Sequence, residues 1–592
     1  MIDPYRMVFV NIIASVLVFG GALVYRYIYP KKNVNLLVLL ILISFLPLIS
    51  MLREGTYQSG DLSLHAVRTM SFYKILFTEH ILPRWTPEFY SGYGDPYFSF
   101  AYFLPYFLSS VIHFIGFSFL ASLKLMMAIS FTLSGLFMYL FVKEELGEKA
   151  GFTAGIFYMF APYHLVDLHF RVTIAETLSF VFLPLCLYLT RKILLKPISK
   201  WFLLLSISIM LFILSHQVIS LTFFPIMILY AIFYIIQKKV RINNVLYYIF
   251  SILSGLFLSM FYWLPIISDA QLTQQVLNKQ VIIYPSISQL LYSPWRYGFL
   301  FQGHKGELSY IIGYTQILVV LIGFYIFITK GFDKKINKLF LFFTSILIVL
   351  VFLILSISKP IWDTLPLFNY FQLSSRLLVS VSFLTAVIAA ITVKTINKKW
   401  FMFILCSTTI LYTILNWGNR TTIANINDKF LIENNKTWKG VGKDIGLEPS
   451  SPVWANFNKN IYTVKRTTNV DVLSGTGKIK QQFRNSTHHI YIADITSNSA
   501  IIRENTLYFP GWILKVDNAQ EPIDYKSKDN IGIITFKLQK GMHKIEIAFI
   551  GNSVVKISNF ISLITTLLLA VYFINSFCIT YFRRFLYSLH LS

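Results

Sequence analysis

The sequence predicts a polytopic α-helical membrane protein of about 13 transmembrane helices with a C-terminal extracytoplasmic β-rich domain. Three observations carry this. Of 592 residues, 55% are apolar and 13% charged, roughly half the charged share of soluble domains, and mean hydropathy is +0.61. Apolar runs of about 20 residues, enough to cross a bilayer as helix, recur along 1–416. Residues 417–556 are polar and change from helical to alternating periodicity.

The candidate spans are 7–28, 33–52, 121–142, 150–166, 174–193, 201–215, 218–236, 246–266, 311–329, 337–357, 376–393, 400–416 and 557–579. The net charge of +25 comes mostly from short connectors between these runs. Arg26–Lys32, Lys143–Lys149, Arg191–Lys200, Lys238–Arg241, Lys330–Lys338, Lys394–Lys399 and Arg583–Arg584 all fall on one side if each run crosses once. The positive-inside rule makes that side cytoplasmic, so the charge belongs to topology and no nucleic-acid partner is expected. Residues 98–119 are apolar enough to span, but counting them would turn every later basic loop outward. They are read as an aromatic, Pro-interrupted helix lying in the outer interface. The first run has no evident cleavage site, so its helix is expected to stay in the membrane. Cys186, Cys406 and Cys578 lie in apolar runs and form no disulfide or zinc pattern.

This divides the chain into a helical domain over 1–416 with an outer loop at 53–120, an extracytoplasmic domain over 417–556, and a last helix with a cytoplasmic tail over 557–592. In the second domain, Ile534, Phe536 and Leu538 alternate with polar residues, as do Ile545, Ile547 and Phe549 after Lys540–Gly541. The pattern predicts a β-hairpin within a small β-sandwich.

Ionisable groups beside lipid are costly and mark function, and they gather in the outward loops. Asp61, His65 and Arg68 share one face if their segment is helical. A carboxylate beside an imidazole and a guanidinium stays ionised, which suits a general base. Asp61 following Ser59–Gly60 equally fits a helix cap. Arg84, in Leu82–Trp85, can hold a phosphate or anchor the interface with Trp85. Asp95 lies in the Gly- and Pro-fixed turn Gly92–Pro96 and is placed with it as substrate-binding. Glu176 sits a turn into an apolar helix and needs a partner, for which Arg171 is the natural choice. A divalent metal on His164, Asp167, His169 and Glu176 is weighed and set below that ion pair, so no cofactor is expected. His216, Asp269, Arg296 and Arg376 complete the outward set, with Arg376 suited to an anionic lipid headgroup. No P-loop, GxSxG elbow or GxGxxG cradle is present.

The order of these motifs resembles a known family. Asp61-x-x-x-His65 after Gly60, Leu-Pro-Arg-Trp at Leu82–Trp85, Gly-Tyr-Gly-Asp-Pro at Gly92–Pro96, Phe170–Leu185 and Leu214–His216 resemble the 6-pyruvoyl-tetrahydropterin-synthase-related membrane proteins. Tyr508–Trp512 and Lys540–Ile547 are similar to the tail of bacterial YfhO-type proteins. Both groups look like GT-C glycosyltransferases. The resemblance implies transfer of a sugar from a polyprenyl-phosphate carrier to a glycan, lipid or protein acceptor at the outer face of the cell membrane. By this resemblance Asp61 would deprotonate or orient the acceptor hydroxyl, and His65 and Glu176 are placed with it in the catalytic set as charged neighbours of the outer face. Arg84, Arg171 or Arg376 would offset charge on the leaving phosphate, with Asp95 and His216 binding substrate. Ser63 stands where an Asp-x-Asp pair would place its second carboxylate, so a metal-independent inverting transfer is expected, and no pterin chemistry is implied. The rival readings are a lipid or glycan transporter, which would want polar groups near the midplane and an internal repeat, and a non-catalytic scaffold.

Overall fold

In lipid, backbone N–H and C=O groups must be satisfied within the segment, which makes apolar runs helical. The computed structural model describes residues 4–57, 61–274, 282–293, 301–302, 307–364, 373–418, 422–423, 426–435, 450–455, 467–527 and 530–589. Among these, seven helices are long and apolar enough to cross a membrane: Met7–Ile28, Phe119–Leu146, Ile174–Leu195, Gln217–Lys238, Lys334–Ile354, Ser374–Ile396 and Ser553–Ser576. An eighth span arises if Ile242–Leu258 and Met260–Leu272, bent by 66°, are one broken helix. The other runs form shorter helices. Leu36–Ser44 and Glu148–Met159 stop just before Pro47 and Pro162, because proline removes a donor and pushes its predecessor out of the helical region. Ser199–Ser215, Tyr314–Thr329 and Lys399–Leu411 are 10–17 residues long. Length and composition thus carry seven or eight spans, fewer than the thirteen runs in the sequence. The helix within 98–119 is Phe103–Phe114, only 12 residues, about 18 Å of rise and too short to cross.

Burial orders the bundle. The most apolar window of Ser374–Ile396 is 94% buried and that of Ile174–Leu195 is 78%, against 17% for Met7–Ile28 and 11% for Ser553–Ser576. The first pair forms the centre and the second pair the rim. Gly135 and Gly155 let the helices Phe119–Leu146 and Glu148–Met159 approach closely, since a Cβ on Gly135 would lie 2.3 Å from the Met159 sulfur. Ion pairs gather basic connectors at one end of this bundle. Glu145 meets Arg191 at 3.0 Å and Lys335 at 2.6 Å, Glu144 pairs Lys192, and Lys149 donates to Asn397 at 3.3 Å. Glu176 and Lys192 stand in the first and last turns of one 22-residue helix, so the Glu176 end lies about 24 Å from this basic end.

The described strands between Val470 and Phe549 form one six-stranded antiparallel sheet, with no second sheet packed on it to make a sandwich among the described residues, while Thr422–Ile423 pairs with Thr56–Tyr57. The predicted hairpin is also corrected. Ile533–Phe549 is one continuous strand paired along its length with His488–Leu507, the register shifting between Gln539 and Gly541. Buried positions fall on Ile534, Phe536 and Leu538 before the shift and on Ile545 and Ile547 after it. A change of parity accompanies a bulge as well as a turn, and the long partner strand makes it a bulge.

This sheet sits on the first polar loop. Trp85 meets Trp512 edge-on at 5.2 Å and Phe549 at 5.4 Å, and Leu507 N donates to Tyr93 O at 2.8 Å. Gly94 has φ +83°, and a Cβ there would lie 2.5 Å from the Trp85 indole nitrogen, so the turn accepts only glycine. Ser486 N donates to Glu79 at 2.8 Å, and His80 hydrogen-bonds Thr487.

Candidate active site

The polar cluster begins where a helix fails. After Glu148–Met159, Pro162 restarts a single turn, Asp167–Arg171 widens to a π-helix, and Val172 takes φ 56°, ψ 49°. A β-branched residue in the left-handed region costs energy and persists only where its surroundings impose it, and π-turns recur at functional sites. Here the irregular turn folds Arg171 back over the first turn of Ile174–Leu195. Arg171 Nη1 donates to Asp167 Oδ1 at 2.9 Å, to the Tyr163 hydroxyl at 2.8 Å and to Glu176 Oε2 at 3.3 Å, and Nη2 reaches Glu176 Oε1 at 3.3 Å. The Tyr163 hydroxyl donates to Glu176 Oε2 at 2.8 Å.

Two distant segments complete the cluster. Arg376, in the first turn of Ser374–Ile396, donates from Nε to Glu176 Oε1 at 3.2 Å. His216 caps the helix Gln217–Lys238, its Nδ1 accepting from Ile219 N at 3.3 Å. That bond leaves the neutral-ring proton on Nε2, which lies 3.9 Å from Glu176 Oε1 and has no hydrogen-bond partner among the described residues. Glu176, 1% exposed, is therefore a pin between two guanidiniums at a helix N-terminus, a position that favours its charge. Arg171, Glu176, His216 and Arg376 are brought together.

The loop residues reach this cluster from the side. Asp61 occupies the N-cap position of Leu62–Thr78, yet its carboxylate makes no capping hydrogen bond. His65 Nδ1 lies 3.0 Å from the Tyr106 hydroxyl, and Arg68 stacks over Tyr97 at 4.3 Å. Burial, aided by Arg68, pushes the His65 imidazole down to about 3, so it is neutral and offers Asp61 no charge. The Tyr102 ring packs 4.8 Å from His216 and lies within electrostatic reach of Arg68, Arg171, Arg376 and Glu176. Tyr102 and Tyr163 carry no signal in the sequence beyond lying near its charged groups.

Arg84 and Asp95 sit elsewhere. Arg84 Nη2 donates to Phe261 O at 2.8 Å and to Asn559 Oδ1 at 3.0 Å, tying the loop to the bent helix and the last helix. Burial pushes its guanidinium down to about 10, still charged at neutral pH. Asp95, fully buried, accepts from Ser450 Oγ at 2.8 Å and Ser451 Oγ at 3.0 Å. These bonds lie in the seat of the sheet, apart from the Glu176 cluster. Arg296 lies outside the described residues. His164 stacks on Phe180 at 3.7 Å, and no three His, Cys, Asp or Glu side chains group as metal ligands among the described residues.

Fold and site together define a polytopic helical membrane protein with a β-sheet domain seated on one of its polar loops and a carboxylate–arginine cluster at the converging N-termini of its central helices. The chain belongs to the family of membrane proteins with a 6-pyruvoyl-tetrahydropterin synthase related domain, whose family model matches residues 100–420. An uncharacterized protein of Lactococcus lactis subsp. cremoris (strain MG1363) is 26% identical over 345 residues, 56% of this chain and 55% of that protein, so the match spans about half of that relative's length. Among solved structures, the arabinofuranosyltransferase AftD from Mycobacteria matches at TM-score 0.42 and 13% identity, over 66% of this chain and 27% of AftD. The oligosaccharyltransferase AglB from Archaeoglobus fulgidus, in complex with an inhibitory peptide and a dolichol-phosphate, matches at 0.37 and 12%, over 70% of this chain and 60% of AglB.

Proposed function

We propose that the protein is an integral-membrane glycosyltransferase that moves a sugar from a polyprenyl-phosphate donor to an acceptor at the outer face of the cell membrane. The single observation that carries this reading is the convergence of Arg171, Arg376 and His216 on one buried carboxylate at helix N-termini, beside an apolar bundle. Guanidiniums and helix N-termini are the groups that hold a phosphate, and a lipid-linked phosphate is the anion that reaches a protein from the bilayer. In this reading Arg171 and Arg376 offset charge on the departing phosphate and Glu176 holds both in position. Asp61, at the N-cap position of the adjacent helix, orients or deprotonates the acceptor hydroxyl. His65, being neutral, positions the helix through Tyr106. The motif resemblance to GT-C proteins supports the reaction class. The gathering of basic connectors at the end opposite Glu176 supports an outward site and an outward β-sheet domain.

The bent pair Ile242–Leu258 and Met260–Leu272 favours a second reading, a lipid or glycan transporter, since broken helices line transport sites. Asp61→Asn and Arg376→Ala separate the two. With expression and folding intact, both variants are expected to abolish transfer to the surface acceptor. Normal glycosylation in both would overturn the catalytic assignment.

A further inference from the structure

We infer that the Tyr102 hydroxyl contacts the donor directly, donating a hydrogen bond to a phosphoryl oxygen of the polyprenyl carrier; this rests on the reading above. Tyr102 stands at the N-cap of Phe103–Phe114, the short helix that does not cross the bundle, so its side chain enters the cluster from the loop side. Its ring packs at 4.8 Å on His216, whose Nε2 faces Glu176 at 3.9 Å. That tilted ring contact holds Tyr102 next to His216, which faces the carboxylate that Arg171 and Arg376 clamp. Arg68, from the loop helix, lies within electrostatic reach of the same hydroxyl as Arg171 and Arg376. Tyr102 is therefore where the loop's cation and the bundle's two cations meet.

The hydroxyl is also available. No hydrogen bond to it is described among these residues, and the side chain is only partly buried, whereas Tyr97, Tyr106 and Tyr163 all spend their hydroxyls on protein partners. Burial pushes the Tyr102 phenol up, so it keeps its proton at neutral pH. A protonated phenol within electrostatic reach of three guanidiniums is a donor without a competing negative role, which fits a phosphoryl oxygen and not a general base.

The test uses full-length protein in lipid nanodiscs, with binding of undecaprenyl phosphate, undecaprenol and phosphatidylglycerol measured for the wild type, Tyr102→Phe and Arg376→Ala. Tyr102→Phe keeps the ring on His216 and is expected to leave the thermal unfolding temperature unchanged. Its affinity for undecaprenyl phosphate should fall by roughly 10-fold or more, the worth of a hydrogen bond to a charged group, with undecaprenol unaffected. Tyr102→Phe binding as tightly as wild type, while Arg376→Ala binds weakly, overturns the role of Tyr102 and leaves the anion site standing. An equal loss for phosphatidylglycerol overturns the assignment to the carrier. A wild type that does not prefer undecaprenyl phosphate to undecaprenol overturns both.

Discussion

Glu176 shows how one carboxylate can organise a site it need not act in. Both of its oxygens are occupied, by Arg171, Arg376 and the Tyr163 hydroxyl. Replacing it by glutamine keeps the shape but leaves two guanidiniums facing each other with little exposure. Removing one member of a buried pair costs about 3–5 kcal/mol, so Glu176→Gln should lower thermal stability in detergent by that amount, read from unfolding curves. His65 gives a second test at this scale. Its folded-state value near 3 lies below the ordinary 6.5 because it is buried. Between those values the unfolded chain binds a proton that the folded chain refuses, so stability is full above about pH 6.5 and declines as pH falls toward 3. His65→Gln should flatten that decline when melting temperature is measured against pH. Part of this site was legible in the sequence. A carboxylate in an apolar helix demanded a cation, and Arg171, five residues away, was the natural partner. Arg376, 200 residues on, reads in the sequence as an arginine at a helix start suited to an anionic headgroup, but not as a partner of Glu176, because sequence does not reveal which helix starts meet. Tyr102 and Tyr163 were hidden among 35 tyrosines.

At the scale of elements, the loop motifs divide into two jobs. The face bearing His65 and Arg68 looks toward the charged cluster through Tyr97, Tyr102 and Tyr106. Leu82–Trp85 and Gly92–Pro96 instead form the seat of the β-sheet, with Trp85 wedged against Gly94 and Trp512. Trp512 is 3% exposed and belongs to the apolar cluster shared by loop and sheet. Trp512→Ala should cost about 3–5 kcal/mol locally and loosen the sheet from the helices. Limited proteolysis is the measurement, with release of a C-terminal fragment expected earlier than in wild type and unchanged cleavage speaking against the seat. In the sequence Arg84 and Asp95 read as polar residues in shaped turns that bind substrate. Their partners Asn559, Ser450 and Ser451 come from more than 350 residues away, a proximity that local sequence does not encode. The bulge at Gln539–Gly541 was hidden similarly, since a parity change in the alternation is common to bulge and turn and only the partner strand distinguishes them.

For the whole molecule, the bundle is polar along its axis. One end gathers Glu144 and Glu145 with Lys192, Arg191 and Lys335, and the other gathers helix N-termini around Glu176. The helical class and the β-rich C-terminal part were legible because composition and periodicity are properties of the chain itself. The span count was less so, since prolines and the 66° bend break apolar runs that hydropathy reads as whole. We propose that this second end transfers sugar from a polyprenyl-phosphate carrier. The most direct test is mass spectrometry of polyprenyl-linked sugars in a strain lacking the gene, complemented with wild type or with Arg376→Ala. A lipid-linked sugar should accumulate in the deletion and with Arg376→Ala, and return to the basal level with wild type, while the surface glycan does the reverse. Unchanged lipid-linked sugars and surface glycans across all three strains would contradict it.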